Sequence, residues 1–394
     1  MDNIYLSTFD KTKCSGCRAC EHACLFNAIE FKKDEEGFLY PVVDSSKCVD
    51  CNTCYKVCPI SNPPEKKEIQ QVYALQYKDN DALIKSASGG VFVGIARKII
   101  DNGGVVFGCI LNENNEAVII DTHTTELLDK MQGSKYVSSD TLDSFIKAKK
   151  YLEEGKTIFF TGAPCQIAGL KSFLKKPYEN LFTMDFLCHG MPSQVFFEEN
   201  IKFIQNKRKG VLSHYRFRDK SLKGWGHVTS YVVNGKKYYE PGKINSYFNG
   251  FINGYLNRYS CYECRFRGNK RIADITVGDF WGCDLNNMNI EKGISFAAIN
   301  TDNGKKLLNE ILEKEFIVSP TTIDKVSRQN GTINTEKKDE LPELRKIIYS
   351  ELYKSGYPLT RKKYLIPKDF FQRMLVSKMP KKLKSFIIKL AKKL

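Results

Sequence analysis

From Gln71 to about Pro320, short apolar, β-rich runs alternate with longer stretches whose apolar residues recur at helical spacing. The runs at 72–77, 105–111, 157–160, 181–186, 272–277 and 294–300 predict strands, and the periodic stretches at 91–101, 144–154, 166–174, 194–207 and 305–314 predict helices. Residues 227–233 and 236–240 flank Asn234-Gly235, a pair that accepts the positive φ angles of a two-residue hairpin turn. Hairpins mixed with strand-helix alternation predict an α+β or α/β core, without fixing its strand order. Before this core, residues 1–62 read as a separate small module, closed by a Pro-rich, charged linker at 61–68. The core is expected at 71–320 and a basic extension at 321–394. Within that extension Leu383, Phe386, Ile387, Leu390, Ala391 and Leu394 share one helical face among lysines.

Composition narrows the class. A chain of 394 residues has room for two or more cores, and its hydrophobic fraction of 42% suits a globular protein. No run approaches the ~18 consecutive apolar residues of a membrane span, and no secretory signal pattern opens the chain, so a cytoplasmic setting is expected. The net charge of +16 is uneven: residues 1–62 carry seven Lys/Arg against nine Asp/Glu, whereas the last seventeen residues hold seven Lys and no acid. Zinc-finger, helix-turn-helix and RNA-recognition signatures are missing from the sequence, so nucleic acid is not expected as a partner. The amphipathic stretch 380–394 reads either as a helix on the inner face of an anionic membrane or as one packed on protein.

The fourteen cysteines change the picture most. Cys14, Cys17, Cys20 and Cys24 recur thirty-four residues later as Cys48, Cys51, Cys54 and Cys58, each set reading C-x-x-C-x-x-C-x-x-x-C. Two-residue gaps let three thiolates converge on one face of a 4Fe–4S cubane, while the fourth reaches across to the other cluster. The expected ligand sets are therefore Cys14, Cys17, Cys20 and Cys58, and Cys48, Cys51, Cys54 and Cys24. Structural zinc is the competing reading, but a four-cysteine zinc site gains nothing from a third close cysteine in each run. The pattern resembles bacterial dicluster ferredoxins, with Pro59 after the last cysteine but Leu25 after Cys24.

Of the remaining six, Cys261 and Cys264 form a C-x-x-C pair, and Cys165 and Cys188 each follow a predicted strand, where α/β proteins carry chemistry. Spacing alone leaves these as packing residues or a shared metal site. At these residues the chain resembles the coenzyme F420 hydrogenase/dehydrogenase beta subunit family. The similar stretches are Ser88-Gly89-Gly90, Gly133-Ser134-Lys135-Tyr136-Val137, Gly162-Ala163-Pro164-Cys165-Gln166, Cys188-His189-Gly190, Cys261-x-x-Cys264 and residues 273–279, in the family's order from about Gln71 to Leu308. Family members carry FAD and one 4Fe–4S cluster in this core, and many add an N-terminal dicluster ferredoxin. The resemblance implies that Cys165, Cys188, Cys261 and Cys264 bind a third cluster. It leaves Cys109 and Cys283 as packing residues.

The resemblance also implies a flavin site. Ser88, Gly89 and Gly90 open a predicted helix, whose N-terminus suits the FAD pyrophosphate, although an ordinary capped helix has the same look. Gly133, Ser134, Lys135 and Tyr136 resemble a second flavin-contacting stretch. Lys135 is expected to set positive charge by the N1/C2 carbonyl side of the ring, with a surface lysine as the alternative. Gln132 and Ala163 stand where relatives often have Arg and Thr. Asp274 is expected to bind cofactor, unless it and Asp279 only cap turns. His189 is the candidate proton donor, a role that competes with a structural one beside Cys188.

The expected function is an FAD- and iron–sulfur-dependent oxidoreductase passing electrons between F420 or an organic substrate and one-electron carriers. Its expected partner is a ferredoxin or an oxidoreductase subunit. The alternatives are a non-catalytic relay subunit supplying a partner enzyme, and an accessory protein whose clusters are structural.

Overall fold

The structure, a computed structural model, describes residues 5–283, 285–328, 330 and 341–378. The strands are β1 (Ile29–Lys33), β2 (Leu39–Val43), β3 (Gln71–Tyr77), β4 (Val105–Leu111), β5 (Ala117–Thr122), β6 (Ile158–Thr161), β7 (Leu181–Phe186), β8 (Leu212–Arg216), β9 (Val228–Val233), β10 (Lys236–Pro241), β11 (Ile275–Asp279), β12 (Ser295–Ile299) and β13 (Phe316–Thr321). Helices of eight or more residues are α1 (Val91–Asp101), α2 (Ser144–Glu153), α3 (Pro164–Leu174), α4 (Gln194–Arg208), α5 (Asp302–Asn309), α6 (Leu341–Thr360) and α7 (Phe370–Lys378).

An eight-stranded sheet in the order β13-β3-β12-β11-β7-β6-β4-β5 forms the frame. Its four middle strands, β4, β6, β7 and β11, are mutually parallel, and antiparallel strands flank them on both sides. The central strands explain their own composition. Ile158, Phe159 and Phe160 are all fully buried, because helices cover both faces, so β6 needs continuous apolar residues rather than alternation. The crossover from β6 through α3 to parallel β7 leaves Cys165 and Cys188 at the carboxyl ends of two neighbouring strands. Pro164 starts α3 where its missing N–H costs nothing, and the Gln166 side chain accepts from the Ala163 N–H at 2.9 Å.

The hairpin of β9 and β10 forms as expected, with Asn234 and Gly235 at φ +50° and +74°, and joins β8 in a second sheet. Several expectations need correction. The helix expected at 305–314 begins instead at Asp302, where the Thr301 hydroxyl accepts from Gly304 N, and ends at Asn309, where Ile311 turns into the core. No break in packing separates the core at residue 320: β13 runs on through Pro320, tolerated because β13 is an edge strand. Residues 341–360 are not a polar extension either. They form α6, which buries Arg345, Ile348, Tyr349 and Leu352 against Phe38, Phe196 and their neighbours. The amphipathic stretch 380–394 lies outside the described residues. Among the described residues, no helix is long and apolar enough to cross a membrane.

Arginines clamp the N-terminal module to the frame. Arg258, 2% exposed, donates from Nε to the Cys14 carbonyl and from Nη2 to the Leu39 carbonyl, with its guanidinium 4.0 Å from the Tyr40 ring centroid. Gly16, at φ +74°, lets this guanidinium approach: a Cβ there would stand 2.8 Å from Arg258 Nη1. Arg18 forks onto Asp140, and Arg345 onto Glu36. The linker adds Lys66, which donates to the Arg265 carbonyl, and a β-bridge between Lys67 and Arg271.

Candidate functional site

The cysteines gather in three groups. Cys14 and Cys17 are buried, and the Cys17 thiol is pushed up to about 12 by burial and then by repulsion from Cys14 and Cys58. Cys20 is pushed up by burial and by Cys17, Cys14 and Cys58, with Cys54 further off. Cys58 from the second run also stands beside this group. The other group lines an open pocket of about 430 Å³, counting solvent at its mouth, where Cys24 faces Cys48, Cys51 and Cys54. Here Cys51 is exposed, and its thiol is lowered by the Thr53 hydroxyl and backbone N–H.

The third group lies in the frame. Cys165, in the first turn of α3, is pushed up by burial and then by Cys188, Cys264 and Cys261. Burial, then Cys261 and Cys264, push Cys188 up to about 12, and burial, then Cys264, push Cys261 up to about 11. Thiols crowded in an apolar setting resist ionising together unless a cation compensates them, so the frame group and the buried module group suit a bound metal centre. Among the described residues, no three His, Cys, Asp or Glu side chains close on one point as around a single ion. The donor sets at 13–62 are those of a 4Fe–4S dicluster domain, and the all-thiol frame group is compatible with a cubane, whose irons occupy separate corners.

The groups follow one another in space. Gly169 of α3 rests on the first group: a Cβ there would stand 2.7 Å from Cys17 Cβ and 2.8 Å from Cys17 Sγ. Cys165 is accordingly within charge-coupling range of Cys17, and Cys20 within range of Cys54. The order is therefore frame group, buried module group, open module group. The open end is rimmed by exposed Leu25, Phe26 and Val49.

The two flavin-like stretches also meet. Gln132 Nε2 donates to Ser86 Oγ at 2.7 Å and to the Ala82 carbonyl at 2.8 Å, joining the turn before Gly133 to the loop before Gly90. The glycines of that loop serve close packing. A Cβ on Gly89 would lie 2.2 Å from the Leu75 carbonyl oxygen, and its N–H donates to Ser295 Oγ at 2.8 Å. Ser88 Oγ donates to the Ile294 carbonyl. Gly90, at φ +79°, is the N-cap of α1 and has no side chain to cap it. Gly133, at φ +82°, has open space where a Cβ would point.

Other predicted residues turn out to be engaged locally. The Lys135 ammonium donates to the carbonyls of Lys130, Met131, Gln132 and Gly133, and burial lowers it to about 8. Asp274 lies within the sheet: Oδ2 accepts from Thr183 N and Oγ1, and Oδ1 accepts from Thr301 Oγ1. His189 Nε2 bonds the Ile252 carbonyl at 2.7 Å, which requires the ring to donate there, and its ring meets Phe251 edge-on. Phe251 stacks on Tyr136 at 4.5 Å, so aromatic contacts run from beside Cys188 to the Gly133–Tyr136 turn. Cys109 packs beside Leu111 and Cys283 beside Phe280 in the hydrophobic core.

Sequence reading missed the segment 216–227. Lys220 Nζ donates to the Leu83, Ser88 and Lys292 carbonyls, pinning this segment to the Ser88 loop. Arg218, 3% exposed, pairs with Asp279 under Trp225 and Trp281, whose rings stack at 4.1 Å. No motif marks these residues, and only the doublet Trp281-Gly282 after a strand hinted at them.

Thiol groups on a ferredoxin-type module and an α/β frame define an iron–sulfur protein. Residues 13–62 match the model of the 4Fe-4S dicluster domain, and residues 155–325 that of the C terminus of the coenzyme F420 hydrogenase/dehydrogenase beta subunit. Residues 155–325 thus carry the C-terminal domain of the coenzyme F420 hydrogenase/dehydrogenase beta subunit family, and residues 13–62 a 4Fe–4S dicluster domain. It is similar to the F subunit of the F(420)H(2) dehydrogenase of Methanosarcina mazei, 27% identical over 170 residues, which cover 39% of this chain and 46% of that protein. It is also similar to the coenzyme F420-dependent sulfite reductase of Methanocaldococcus jannaschii, 24% identical over 317 residues, covering 78% and 47%. The chain thus spans about half the length of the curated relatives it matches. A chain in the xenon-derivatised F420-reducing (NiFe) hydrogenase complex from Methanosarcina barkeri superposes with a TM-score of 0.42 at 13% identity, covering 74% of this chain and 95% of that one.

Proposed function

We propose that the chain is an iron–sulfur flavoprotein oxidoreductase. It exchanges a hydride with coenzyme F420 or an organic substrate at FAD, and single electrons with a carrier protein at the module's exposed end. Each thiol group would hold one 4Fe–4S cluster: Cys165, Cys188, Cys261 and Cys264 in the frame, then the two module groups. The observation that carries this reading is the linear order of the groups, with the flavin-like turns at one end and exposed Cys51 at the other. FAD, when bound, converts two-electron hydride chemistry into the single-electron steps that clusters accept.

The chain's own part is to hold and shield. The N-terminus of α1 would offer N–H groups to a pyrophosphate. Ser134 and Tyr136 would meet the flavin ring, and Lys135 keeps their turn in shape through its carbonyl contacts. His189, already donating from Nε2 to Ile252, would orient the Cys188 loop rather than deliver a proton from that nitrogen. Anaerobic purification with metal and flavin counting tests the proposal, which expects about twelve irons and one FAD per chain. Clusters without flavin would favour a relay subunit, and zinc in place of iron and sulfide would end the reading altogether. Bleaching of the flavin by reduced F420, NAD(P)H or reduced ferredoxin would then identify the donor.

A further inference from the structure

Four buried or half-buried cations lie around the flavin-like turns, and their hydrogen bonds separate them: Arg216 donates from Nη2 to the Lys85 carbonyl at a solvent-exposed position. Lys135 donates to four backbone carbonyls, and Lys220 to three. Both ammonium groups have committed their protons to the loops that carry them. Arg218 has not. Its Nε donates to the Gly226 carbonyl at 3.1 Å and its Nη1 to Asp279 Oδ2 at 2.5 Å, but Nη2 is buried with no hydrogen-bond partner among the described residues. The Tyr136 hydroxyl is close enough to feel the guanidinium charge without closing a well-formed bond to it.

An unmet buried N–H costs about 1–3 kcal/mol, and more on a charged group, so a structure that keeps one is waiting for an acceptor. The surroundings indicate its kind. Asp279 also accepts from Trp225 Nε1 at 3.0 Å, which fixes the carboxylate and so the guanidinium plane. Trp281 lies 5.3 Å from the guanidinium carbon, and His227 packs 5.3 Å from Trp281. Burial and the Arg218 charge lower His227 to about 4, so its ring is neutral at pH 7. Flat aromatic walls with a single free cationic donor suit a planar heteroaromatic ring bearing an oxygen that becomes negative on reduction.

We propose that Arg218, and not Lys135, is the cation that receives the carbonyl oxygen of the reduced flavin, with Trp225, Trp281 and Asp279 as its positioning residues. This rests on the flavin reading above. Such a contact stabilises reduced over oxidised flavin, because the oxygen is more negative in the reduced form.

The test compares anaerobically purified full-length wild type, Arg218→Gln, Arg218→Lys and Lys135→Gln for iron content, flavin content and flavin midpoint potential. Arg218→Gln should keep its iron and lose about tenfold of its preference for reduced flavin, a fall of ~30 mV for a two-electron couple. Arg218→Lys should recover part of that shift, and Lys135→Gln, which loosens the turn it holds, should lower flavin content while the flavin retained keeps the wild-type potential. An unchanged potential in Arg218→Gln, as expected if only water meets Nη2, or an equal shift in Lys135→Gln, would overturn the assignment. If wild type holds no flavin, the flavin reading fails by itself. Arg218 is then tested by fluorescence titration with F420, where tenfold weaker binding in Arg218→Gln sustains its role as oxygen receptor and equal binding ends it.

Discussion

Arg345 offers the sharpest test of how the module is held. Its side chain is fully buried and forks onto Glu36 at 2.9 and 2.5 Å, while Nε donates to the Asn257 carbonyl. The guanidinium also sits 3.9 Å from the Tyr259 ring centroid and 4.2 Å from that of Tyr349. One residue of α6 therefore bonds the ferredoxin-type module through Glu36 and the frame through Asn257. Arg345→Met keeps volume but strands the Glu36 carboxylate, whose side chain is only 16% exposed. Breaking one partner of a buried pair costs about 3–5 kcal/mol, because the other charge is left uncompensated. With a urea m-value near ~3 kcal/mol/M, the unfolding midpoint should fall by about 1 to 2 M. Anaerobic urea unfolding followed by far-UV circular dichroism reads this directly. The double variant Arg345→Met/Glu36→Gln should recover about half the loss, since the stranded charge is gone. A midpoint within ~0.3 M of wild type in the single variant would refute the clamp, as would a double variant no better than the single.

Further outcomes follow from the same geometry. Cys165→Ser or Cys261→Ser should lower iron by about four per chain while leaving the module's visible absorption, and unchanged iron in both would remove the frame cluster. Lys220 is lowered to about 7 by burial, so the unfolded chain holds its proton more tightly than the folded one does. Stability should therefore rise from about pH 7 toward the ordinary lysine range near 10.4. The contribution is read as the difference in melting temperature between wild type and Lys220→Met across pH 7 to 9. Parallel curves would show that Lys220 does not titrate as described. At the open end, Val49→Glu should slow reduction of the protein by an external one-electron carrier several-fold, because a charge in the apolar rim opposes close approach. Stopped-flow reduction with iron content unchanged measures it, and an unaltered rate would move the docking face elsewhere.

What the sequence could determine was local. Two-residue gaps between cysteines and Asn-Gly between apolar runs each act within about one turn of chain, so their geometry is set by neighbours in sequence, and the thirty-four-residue repeat is legible as two copies of one such local pattern. The helices at 91–101, 144–153 and 194–208 were legible for the same reason, because their apolar faces repeat every turn. Strands β1, β2, β5, β8 and β13 were not. Of these, β13 carries Pro320, which reads as a breaker until the strand is known to lie at an edge. Helix α6 was hidden because its buried face uses Arg345, Tyr349 and Tyr357, and because Gly356 and Pro358 interrupt its period.

Only the tertiary structure decided which polar groups are engaged and which are free. Lys135 looked like the charge for a cofactor, yet its protons go to the four carbonyls of its own turn. Arg218 carried no motif, and Asp279 lies sixty-one residues further on. A hydrogen bond needs a donor and an acceptor within about 3 Å, and residues that distant in sequence reach that separation only when the sheet brings β11 beside the segment after β8.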